Sequence, residues 1–291
     1  MRDFDFLQPT SVGEASRMLA DLGEDARAIA GGTALMLAMR QRLLAPTHLV
    51  SLAGIPELRG IAREGDGGLS IGALTLHAEL AASLLVRDGW AVLADMAARV
   101  ANPQVRNQGT LGGNLCYADP ATDPPGCLMA LGAEVSVASA RGMRRLPVDA
   151  FVVDYFTTAL EPDELVVALH LPPMADDARA RYARHLRTAA EHRPLASLAT
   201  LVRLRGGVCT EARIVVGAST AVPTRVVAVE AMLRGRTPSA GLLVEVAQRI
   251  ADEIDPISDA RGSGDYRREV VRVVARRELA ALFGLEPVNE D

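Results

Sequence analysis

Glycine is concentrated in one short stretch of the chain, residues 107–115, and this limits how that part of the backbone can fold. Gly109, Gly112 and Gly113 lie within five positions, and Asn114 follows directly. Glycine has no Cβ atom, so other groups can approach its backbone more closely than that of any other residue. The spacing therefore predicts that this stretch lies directly against something else.

A second glycine turn lies upstream, where Gly31 and Gly32 are followed by Thr33. It follows a short apolar run at 28–29 and precedes a predicted helix at 35–44. The free amides at the start of a helix can hold a phosphate group. Taken alone, a glycine pair after a strand more often marks a tight turn or a bulge. Two such turns in one chain, however, suggest a dinucleotide ligand.

The two turns do not match the common nucleotide-binding sequences. No G-x-G-x-x-G lies between a predicted strand and a predicted helix. A Walker loop requires a lysine, and the chain contains none. The sequence therefore predicts that the ligand is bound by a less common fold.

The charge distribution argues against a nucleic-acid partner. The chain of 291 residues has a formal net charge of −5, and all 31 of its basic residues are arginines. They are scattered and form no stripe or tail that could follow a phosphate backbone. The length and the hydrophobic content of 49% are typical of about two domains with buried cores.

The cysteines and histidines predict neither a disulfide framework nor a metal site. Cys116, Cys127 and Cys209 are odd in number and far apart, which favours a cytoplasmic location. The five histidines lack the paired spacing of metal ligands, so no metal is expected in this chain. No G-x-S-x-G sequence indicates a hydrolase. The charged N-terminus and the lack of a long apolar run predict no direct membrane insertion.

The order of the predicted elements indicates an α+β protein in three pieces. The first piece contains a helix at 11–22 that begins with a capping box, the elements around the first glycine turn, and a strand at 48–51. The second piece has a helix at about 91–100 and these strands: 70–73, 133–137 and 164–169.

The third piece follows a charged, alanine-rich connection at 174–184. It has two predicted antiparallel strands, at 198–204 and 212–217, and two predicted helices, at 237–250 and 265–284. We expect these elements to form a separate C-terminal lobe.

A series of short motifs occurs in order along nearly the whole chain: Phe6-x-x-Pro9, residues 30–33, 71–75, 102–106, 109–114 and 155–162, then Ser258-Asp259-x-Arg261-Gly262 and Tyr266-Arg267. Each motif is ordinary, but the ordered set is specific. It resembles the FAD-binding (medium) subunit of molybdenum hydroxylases, as in carbon monoxide dehydrogenase and xanthine dehydrogenase-like enzymes.

The resemblance implies a fold and a division into domains. The fold would be α+β, with a two-lobed PCMH-type FAD-binding domain followed by a smaller α+β C-terminal domain made of an antiparallel sheet with helices. The FAD-binding domain is expected at 1–175, with lobes at about 1–55 and 56–175. The C-terminal domain is expected at 176–291.

The resemblance also implies an oxidoreductase subunit with non-covalent FAD. The chain would take electrons from a small subunit with 2Fe-2S clusters and pass them to an external acceptor such as a quinone, NAD or dioxygen. A large subunit would hold the molybdenum cofactor, and the complex would be a dimer of heterotrimers. No residue of this chain indicates whether the substrate is carbon monoxide, a purine, an N-heterocycle or an aldehyde.

The candidate cofactor-binding residues come mainly from the two glycine turns. If their amides face a pyrophosphate between the lobes, they neutralise it without lysine or metal. The candidates are Ile29, Ala30, Gly31, Gly32, Thr33, Ala34, Leu35, Thr75, Asn107, Gly109, Thr110, Gly112, Gly113, Asn114, Cys116, Asp119, Asp123, Leu160 and Arg184.

Several candidates have more specific roles. By resemblance, Asp123 binds hydroxyls of the sugar-like chain of the flavin. Asp119 is a second carboxylate candidate, although an Asp-Pro turn that bonds its own backbone explains it as well. Leu160 is a candidate wall for the isoalloxazine ring. Arg184 and Arg187 stand where the family has a lysine near the flavin, and two solvated arginines are the alternative.

Two other functions are compatible with the sequence. A stand-alone FAD oxidase of the same two-lobed class often attaches its flavin to a histidine or a cysteine, and residues 30–34 contain neither. A non-catalytic assembly module would have the same fold with an empty pocket and would purify without flavin.

Overall fold

The chain forms three larger β-sheets, which follow one another along the sequence with three, five and four strands. This computed structural model describes residues 2–286, so Met1 and residues 287–291, which the expected domains include, lie outside the described residues. The mixed sheets and helices confirm the predicted α+β class.

The first lobe is a parallel sheet with two helices. Its elements are β1 (Asp5–Leu7), α1 (Val12–Leu22), β2 (Ala26–Ile29), α2 (Leu35–Arg40) and β3 (His48–Ser51), with a 3-10 turn at Gly23–Asp25. Strand β3 lies in the middle and pairs in parallel with both neighbours. The predicted strand at 48–51 is confirmed.

The start of α1 follows the prediction in part. The Ser11 hydroxyl accepts a hydrogen bond from the Glu14 amide at 3.2 Å, as an N-cap requires. The Glu14 carboxylate, however, accepts from the amide of Thr10 at 2.7 Å, one residue before the position that a capping box predicts.

Helix α2 is shorter than predicted, because it ends at Arg40 and not at residue 44. Arg42 has a left-handed backbone conformation with a φ of 61°, which interrupts the helix. Leu43 and Leu44 continue the apolar pattern in the sequence, but both are exposed. The local pattern therefore overstated the length of the helix.

The second lobe holds the five-stranded sheet, which is antiparallel throughout and has the order β4-β5-β10-β6-β7. Its elements are β4 (Ile61–Arg63), β5 (Leu69–Gly72), α3 (His77–Ala82), α4 (Leu84–Gly89), α5 (Ala91–Arg99), α6 (Pro103–Arg106), α7 (Leu111–Tyr117), α8 (Pro124–Ala130), β6 (Glu134–Ser139), β7 (Gly142–Pro147), α9 (Val148–Phe151), β8 (Val152–Asp154), β9 (Thr157–Thr158) and β10 (Leu165–Leu171). The three strands and the helix predicted for this lobe correspond to β5, β6, β10 and α5.

The C-terminal part contains the four-stranded antiparallel sheet and three helices. Its elements are β11 (Ala178–His185), β12 (Ala196–Arg205), β13 (Val208–Gly217), β14 (Thr224–Arg225), α10 (Val227–Leu233), α11 (Ala240–Glu253) and α12 (Gly264–Phe283). The Ser239 hydroxyl caps α11, and Gly284, with a φ of 70°, ends α12.

Strand β11 lies in the stretch 174–184 that the sequence indicated as a connection. Alanine and arginine alternate along this edge strand, and Tyr182 is its buried aromatic residue. Both alanine and arginine favour helices, which concealed the two-residue period of a strand.

The C-terminal sheet is covered on both faces. Ala199, Leu201 and Val215 are buried in the core of the second lobe. Leu198 and Val216, on the opposite face, belong to the core of the C-terminal helices. Buried apolar surface therefore joins this sheet to the second lobe, while the proposed division at residue 175 stays a prediction.

Candidate functional site

A cavity of about 290 Å³ lies where the first lobe meets the second. The turn after β2 forms one wall, and α7 and β10 form others. Most of the predicted cofactor-binding residues line it: Ile29, Ala30, Gly31, Gly32, Thr33, Ala34, Leu35, Gly109, Thr110, Gly112, Gly113, Asn114, Cys116 and Leu160.

The first glycine turn presents a row of backbone N–H groups without acceptors. Within residues 2–286, no hydrogen bond is donated by the amides of Gly31, Gly32, Thr33, Ala34 and Leu35. All five residues are partly buried and line the cavity. The first amides of a helix have no intrahelical partner, and the turn before α2 adds further donors, so these N–H groups are available to an anionic acceptor in the cavity. This donor set fits a diphosphate group.

The second glycine turn differs from the prediction, because Gly112 and Gly113 lie inside helix α7. The Gly112 amide donates to the Ala73 carbonyl at 2.9 Å, and the Gly113 amide donates to the Thr110 hydroxyl at 3.1 Å. The Asn114 amide donates to the Thr110 carbonyl at 2.9 Å. The expectation that these three amides are free for a ligand is therefore wrong.

Close packing within the protein explains the glycines of the second turn. A Cβ atom at Gly112 would lie 2.7 Å from the Cβ of Ala73. A Cβ atom at Gly113 would lie 2.7 Å from the hydroxyl of Thr110, which caps α7. The close approach predicted for this stretch is thus made by neighbouring protein groups.

The two glycine turns also pack against each other. A Cβ atom at Gly31 would lie 2.0 Å from the carbonyl oxygen of Gln108, a distance that no real side chain could adopt. A Cβ atom at Gly109 would lie 3.4 Å from the Thr33 hydroxyl. The absence of side chains at these positions therefore lets the two lobes meet at the cavity.

The two predicted aspartates do not line the cavity and already have partners. The hydroxyl of Tyr182 donates to one Asp123 oxygen at 2.5 Å, and Arg184 donates to the other at 3.2 Å. Burial raises the pKa of Asp123, and these two hydrogen bonds oppose that shift. Asp119 accepts from the Ala121 amide at 2.9 Å and pairs with Arg193 at 2.6 Å.

The predicted arginines have different environments. Arg184 is largely buried and pairs with Asp123, so the structure brings together two candidates that the sequence offered separately. Arg187 donates to Glu191 at 2.8 Å within the loop between β11 and β12. Neither arginine lines the cavity.

Two further candidates, Thr75 and Asn107, do not line the cavity. The Thr75 side chain is buried and donates to the Gly60 carbonyl at 3.3 Å, while its own carbonyl accepts from the Leu111 amide. Asn107 is exposed and follows the last residue of α6, and its amide donates a hydrogen bond to the Pro103 carbonyl.

Four cavity residues with ionisable side chains were missing from the candidates, namely Arg27, His77, Tyr117 and Glu164. Arg27 is exposed and donates to backbone carbonyls of the first lobe. Glu164 pairs with Arg144, whose hydrogen bond lowers the pKa of the carboxyl group. No local signal in the sequence assigns these residues to the cavity, because they come from separate elements.

His77 is the most buried of these four residues, with 1% of its surface exposed. Its Nδ1 atom is buried and has no hydrogen-bond partner within the protein. Burial, reinforced by the nearby charge of Arg106, lowers the pKa of His77 to about 4. The ring is therefore neutral at pH 7.

The cysteine thiols are free in the part of the chain that the structure describes. Cys116 lines the cavity, and burial raises the pKa of its thiol to about 12. It is therefore a protonated packing group at neutral pH.

Neither a metal cluster nor a membrane-spanning helix occurs within residues 2–286. No group of three or more histidine, cysteine, aspartate or glutamate side chains is arranged to hold a metal ion. No helix is long and apolar enough to cross a membrane.

Comparison with known families assigns both parts of the chain. Residues 2–174 match the family described as the FAD binding domain in molybdopterin dehydrogenase. Residues 181–282 match the CO dehydrogenase flavoprotein C-terminal domain.

Individual relatives are similar over nearly their whole length. The chain is 36% identical to the 6-hydroxypseudooxynicotine dehydrogenase complex subunit alpha of Paenarthrobacter nicotinovorans, covering 99% of this chain and 97% of the relative. It is 32% identical to the carbon monoxide dehydrogenase medium chain of Hydrogenophaga pseudoflava, covering 96% and 97%. A solved carbon monoxide dehydrogenase from that organism matches with a TM-score of 0.94 at 33% identity, covering 97% of this chain and 98% of the other.

The contact between the two turns can be tested with Gly31→Ala. The added methyl group would overlap the Gln108 carbonyl, so we expect the turns to separate and FAD binding to weaken about tenfold or more. Gly13→Ala is the matched control, because a Cβ at Gly13 has nothing within 4 Å. The dissociation constant for FAD, measured by flavin fluorescence, reports the difference. Equal affinity in the two variants would contradict this account of the turns.

His77 predicts a specific pH dependence of stability. Its pKa in the folded chain, about 4, lies below the ordinary value of 6.5, so the unfolded chain binds the proton first as the pH falls. The neutral His77 ring contributes fully to the unfolding free energy above pH 6.5. This contribution is lost as the pH falls from 6.5 to 4, and we expect the total loss to be about 3 kcal/mol. Urea unfolding of flavin-free His77→Gln should lack this loss, whereas the exposed-site control His192→Gln should retain it. The same pH profile in His77→Gln and the wild type would refute the assignment.

Proposed function

The chain belongs to the family of FAD-binding subunits of molybdenum hydroxylases, and from this premise we propose that it is the electron outlet of such an enzyme. It receives electrons from a partner subunit with 2Fe-2S clusters and delivers them to an external acceptor, which is a quinone, NAD or dioxygen. The observation that carries the proposal is the row of amides at 31–35, which donate no hydrogen bond within residues 2–286 and belong to residues that line the cavity between the lobes.

The residues of the first turn hold the diphosphate of FAD. Their amides supply neutral donors, which suits a chain that contains no lysine. Thr33 and Thr110 add hydroxyl groups at the same cavity. Bound FAD supplies a group that can take up single electrons from iron-sulfur clusters and release them as a pair.

Other residues act on the flavin from the cavity wall or through neighbours. Leu160 lines the cavity and provides an apolar surface for the isoalloxazine ring. Arg184 is the proposed cation near the reduced flavin, and its guanidinium group forms an ion pair with Asp123. Asp123 and Asp119 act through the protein contacts that they make, since neither lines the cavity.

The substrate is selected by a partner subunit. Relatives of similar identity are named for different substrates, including carbon monoxide and 6-hydroxypseudooxynicotine, although they share this subunit. The full assembly that we propose contains a large molybdenum-cofactor subunit and a small 2Fe-2S subunit, arranged as a dimer of heterotrimers in the cytoplasm.

A stand-alone oxidase with covalent flavin is the competing function. Residues 30–34 offer no attachment point, but His77 and Cys116 line the cavity. We expect neither to bond the flavin, because the His77 ring is buried and the Cys116 thiol is protonated at neutral pH.

Acid precipitation tests whether the flavin is bound covalently. We expect denaturation with trichloroacetic acid to leave all of the yellow colour in the supernatant, since the proposed contacts are hydrogen bonds to a folded backbone. Chromatography of the supernatant should identify FAD. Colour that stays with the pellet would support a covalent oxidase, and a purified chain without flavin would support an assembly module.

Anaerobic bleaching of the flavin tests the electron path. The isolated chain should not be reduced by organic substrates, because in the proposed complex the substrate is oxidised in the molybdenum subunit and its electrons reach this chain through the 2Fe-2S clusters. The same chain mixed with its 2Fe-2S and molybdenum partners should bleach at 450 nm when a substrate of the complex is added. Dithionite reduction of the isolated chain is the positive control. Rapid bleaching of the isolated chain by a substrate would overturn the subunit assignment.

A further inference from the structure

A short turn connects the cavity wall to the C-terminal domain. Residues 118–123, here called the 118–123 turn, follow directly after α7, and α8 begins at the next residue. Ala118 leaves α7 in a left-handed conformation with a φ of 48°. Helix α7 carries the cavity residues Gly112, Gly113, Asn114, Cys116 and Tyr117, so the position of this turn determines where that wall of the cavity ends.

The 118–123 turn is bonded to the cavity wall on one side. The Thr122 hydroxyl donates to the side-chain oxygen of Asn114 at 2.7 Å, and Asn114 lines the cavity. Within the turn, Asp119 accepts from the Ala121 amide at 2.9 Å. A displacement of the turn would therefore be transmitted to a side chain of the cavity.

The same turn is bonded to the C-terminal domain on its other side. The Pro120 carbonyl accepts from the Ala218 amide at 3.0 Å. Asp123 binds Tyr182 and Arg184, as described above. Asp119 forms two bonds with Arg193, at 2.6 Å and 2.8 Å.

Arg193 is itself held by the C-terminal domain. The guanidinium group of Arg261 donates to the backbone carbonyl of Arg193 and, at 3.2 Å, to that of Pro194. It also pairs with Glu191 at 3.4 Å. Arg261 and Glu191 thus hold the loop that carries Arg193. The guanidinium group of Arg193 pairs with Asp119, which is almost fully buried.

The Asp119–Arg193 pair also acts electrostatically on Tyr117, a residue that lines the cavity. Burial raises the pKa of Tyr117, the charge of Asp119 raises it further, and the charge of Arg193 opposes this. Both charges therefore act on a phenol group that lines the cavity.

We propose that Arg193 is a positioning residue for FAD, which fixes the 118–123 turn through Asp119 and so holds the Asn114 wall of the cavity in its binding geometry. The inference rests on the proposed function and adds to it that the C-terminal domain controls the affinity for the cofactor. Arg193 acts through Asp119 and does not contact the flavin nucleotide.

A double-mutant cycle distinguishes this indirect role from direct contact. Arg193→Gln and Asp119→Asn should each raise the dissociation constant for FAD about fivefold, and the double variant should bind no more weakly than the weaker single variant. Arg205→Gln is the control, because Arg205 forms an exposed pair with Asp177 on the same domain. FAD fluorescence titration of the full-length flavin-free chain provides the affinities.

A second measurement does not require FAD. Amide hydrogen exchange of the flavin-free chain should become faster across the 118–123 turn in Arg193→Gln, because the turn has lost one of its anchors. The Arg205→Gln control should exchange at the wild-type rate there.

The outcomes separate this inference from the proposed function. Wild-type affinity and exchange in Arg193→Gln would overturn the inference and leave the proposed function intact. Additive effects in the cycle would also overturn it, since they indicate that Arg193 acts on FAD binding independently of Asp119. A wild-type chain that binds no FAD would refute the proposed function, whatever the exchange measurement gives.

Discussion

The contact between Gly31 and the Gln108 carbonyl is the constraint on which the cavity depends. Only a residue without a side chain allows the two backbones to come so close, and the contact joins the first lobe to the second. It places the unpaired amides of the first turn opposite α7. The cavity therefore exists because two glycine-rich segments pack against each other, and not because both segments wrap around a ligand.

The two turns consequently contribute in different ways. The amides of the second turn donate to protein groups. Those of Gly113 and Asn114 bond to Thr110 at the start of α7, and that of Gly112 bonds to Ala73, the residue after β5. The amides of the first turn donate no hydrogen bond within residues 2–286. The glycine spacing drew attention to both stretches, because it is a local signal. It could not tell them apart, since the spacing does not specify whether a close neighbour is protein or ligand.

Long-range pairing explains what else the sequence did not reveal. Strands with apolar runs, such as β3, β6 and β10, were predictable from residues next to one another. Strand β11 was not, because its alanine and arginine residues become a strand only through pairing with β12. Arg193 likewise acquires a role only when the fold brings it to Asp119, 74 residues away in sequence. Such partners are decided by tertiary contacts, which local propensity does not encode.

Two ion pairs with low solvent exposure of the aspartates, Arg184–Asp123 and Arg193–Asp119, join the C-terminal domain to the second lobe. Within residues 2–286 the ionisable residues that line the cavity are Arg27, His77, Cys116, Tyr117 and Glu164. Arg184 and Arg193 do not line it, and both are bound to aspartates of the turn that follows α7. An anionic ligand in this cavity is therefore met chiefly by fixed backbone dipoles, whose effect depends on their orientation. Contacts that hold the lobes and the C-terminal domain together thus determine how well the dipoles are aligned, and affinity becomes a property of the whole chain.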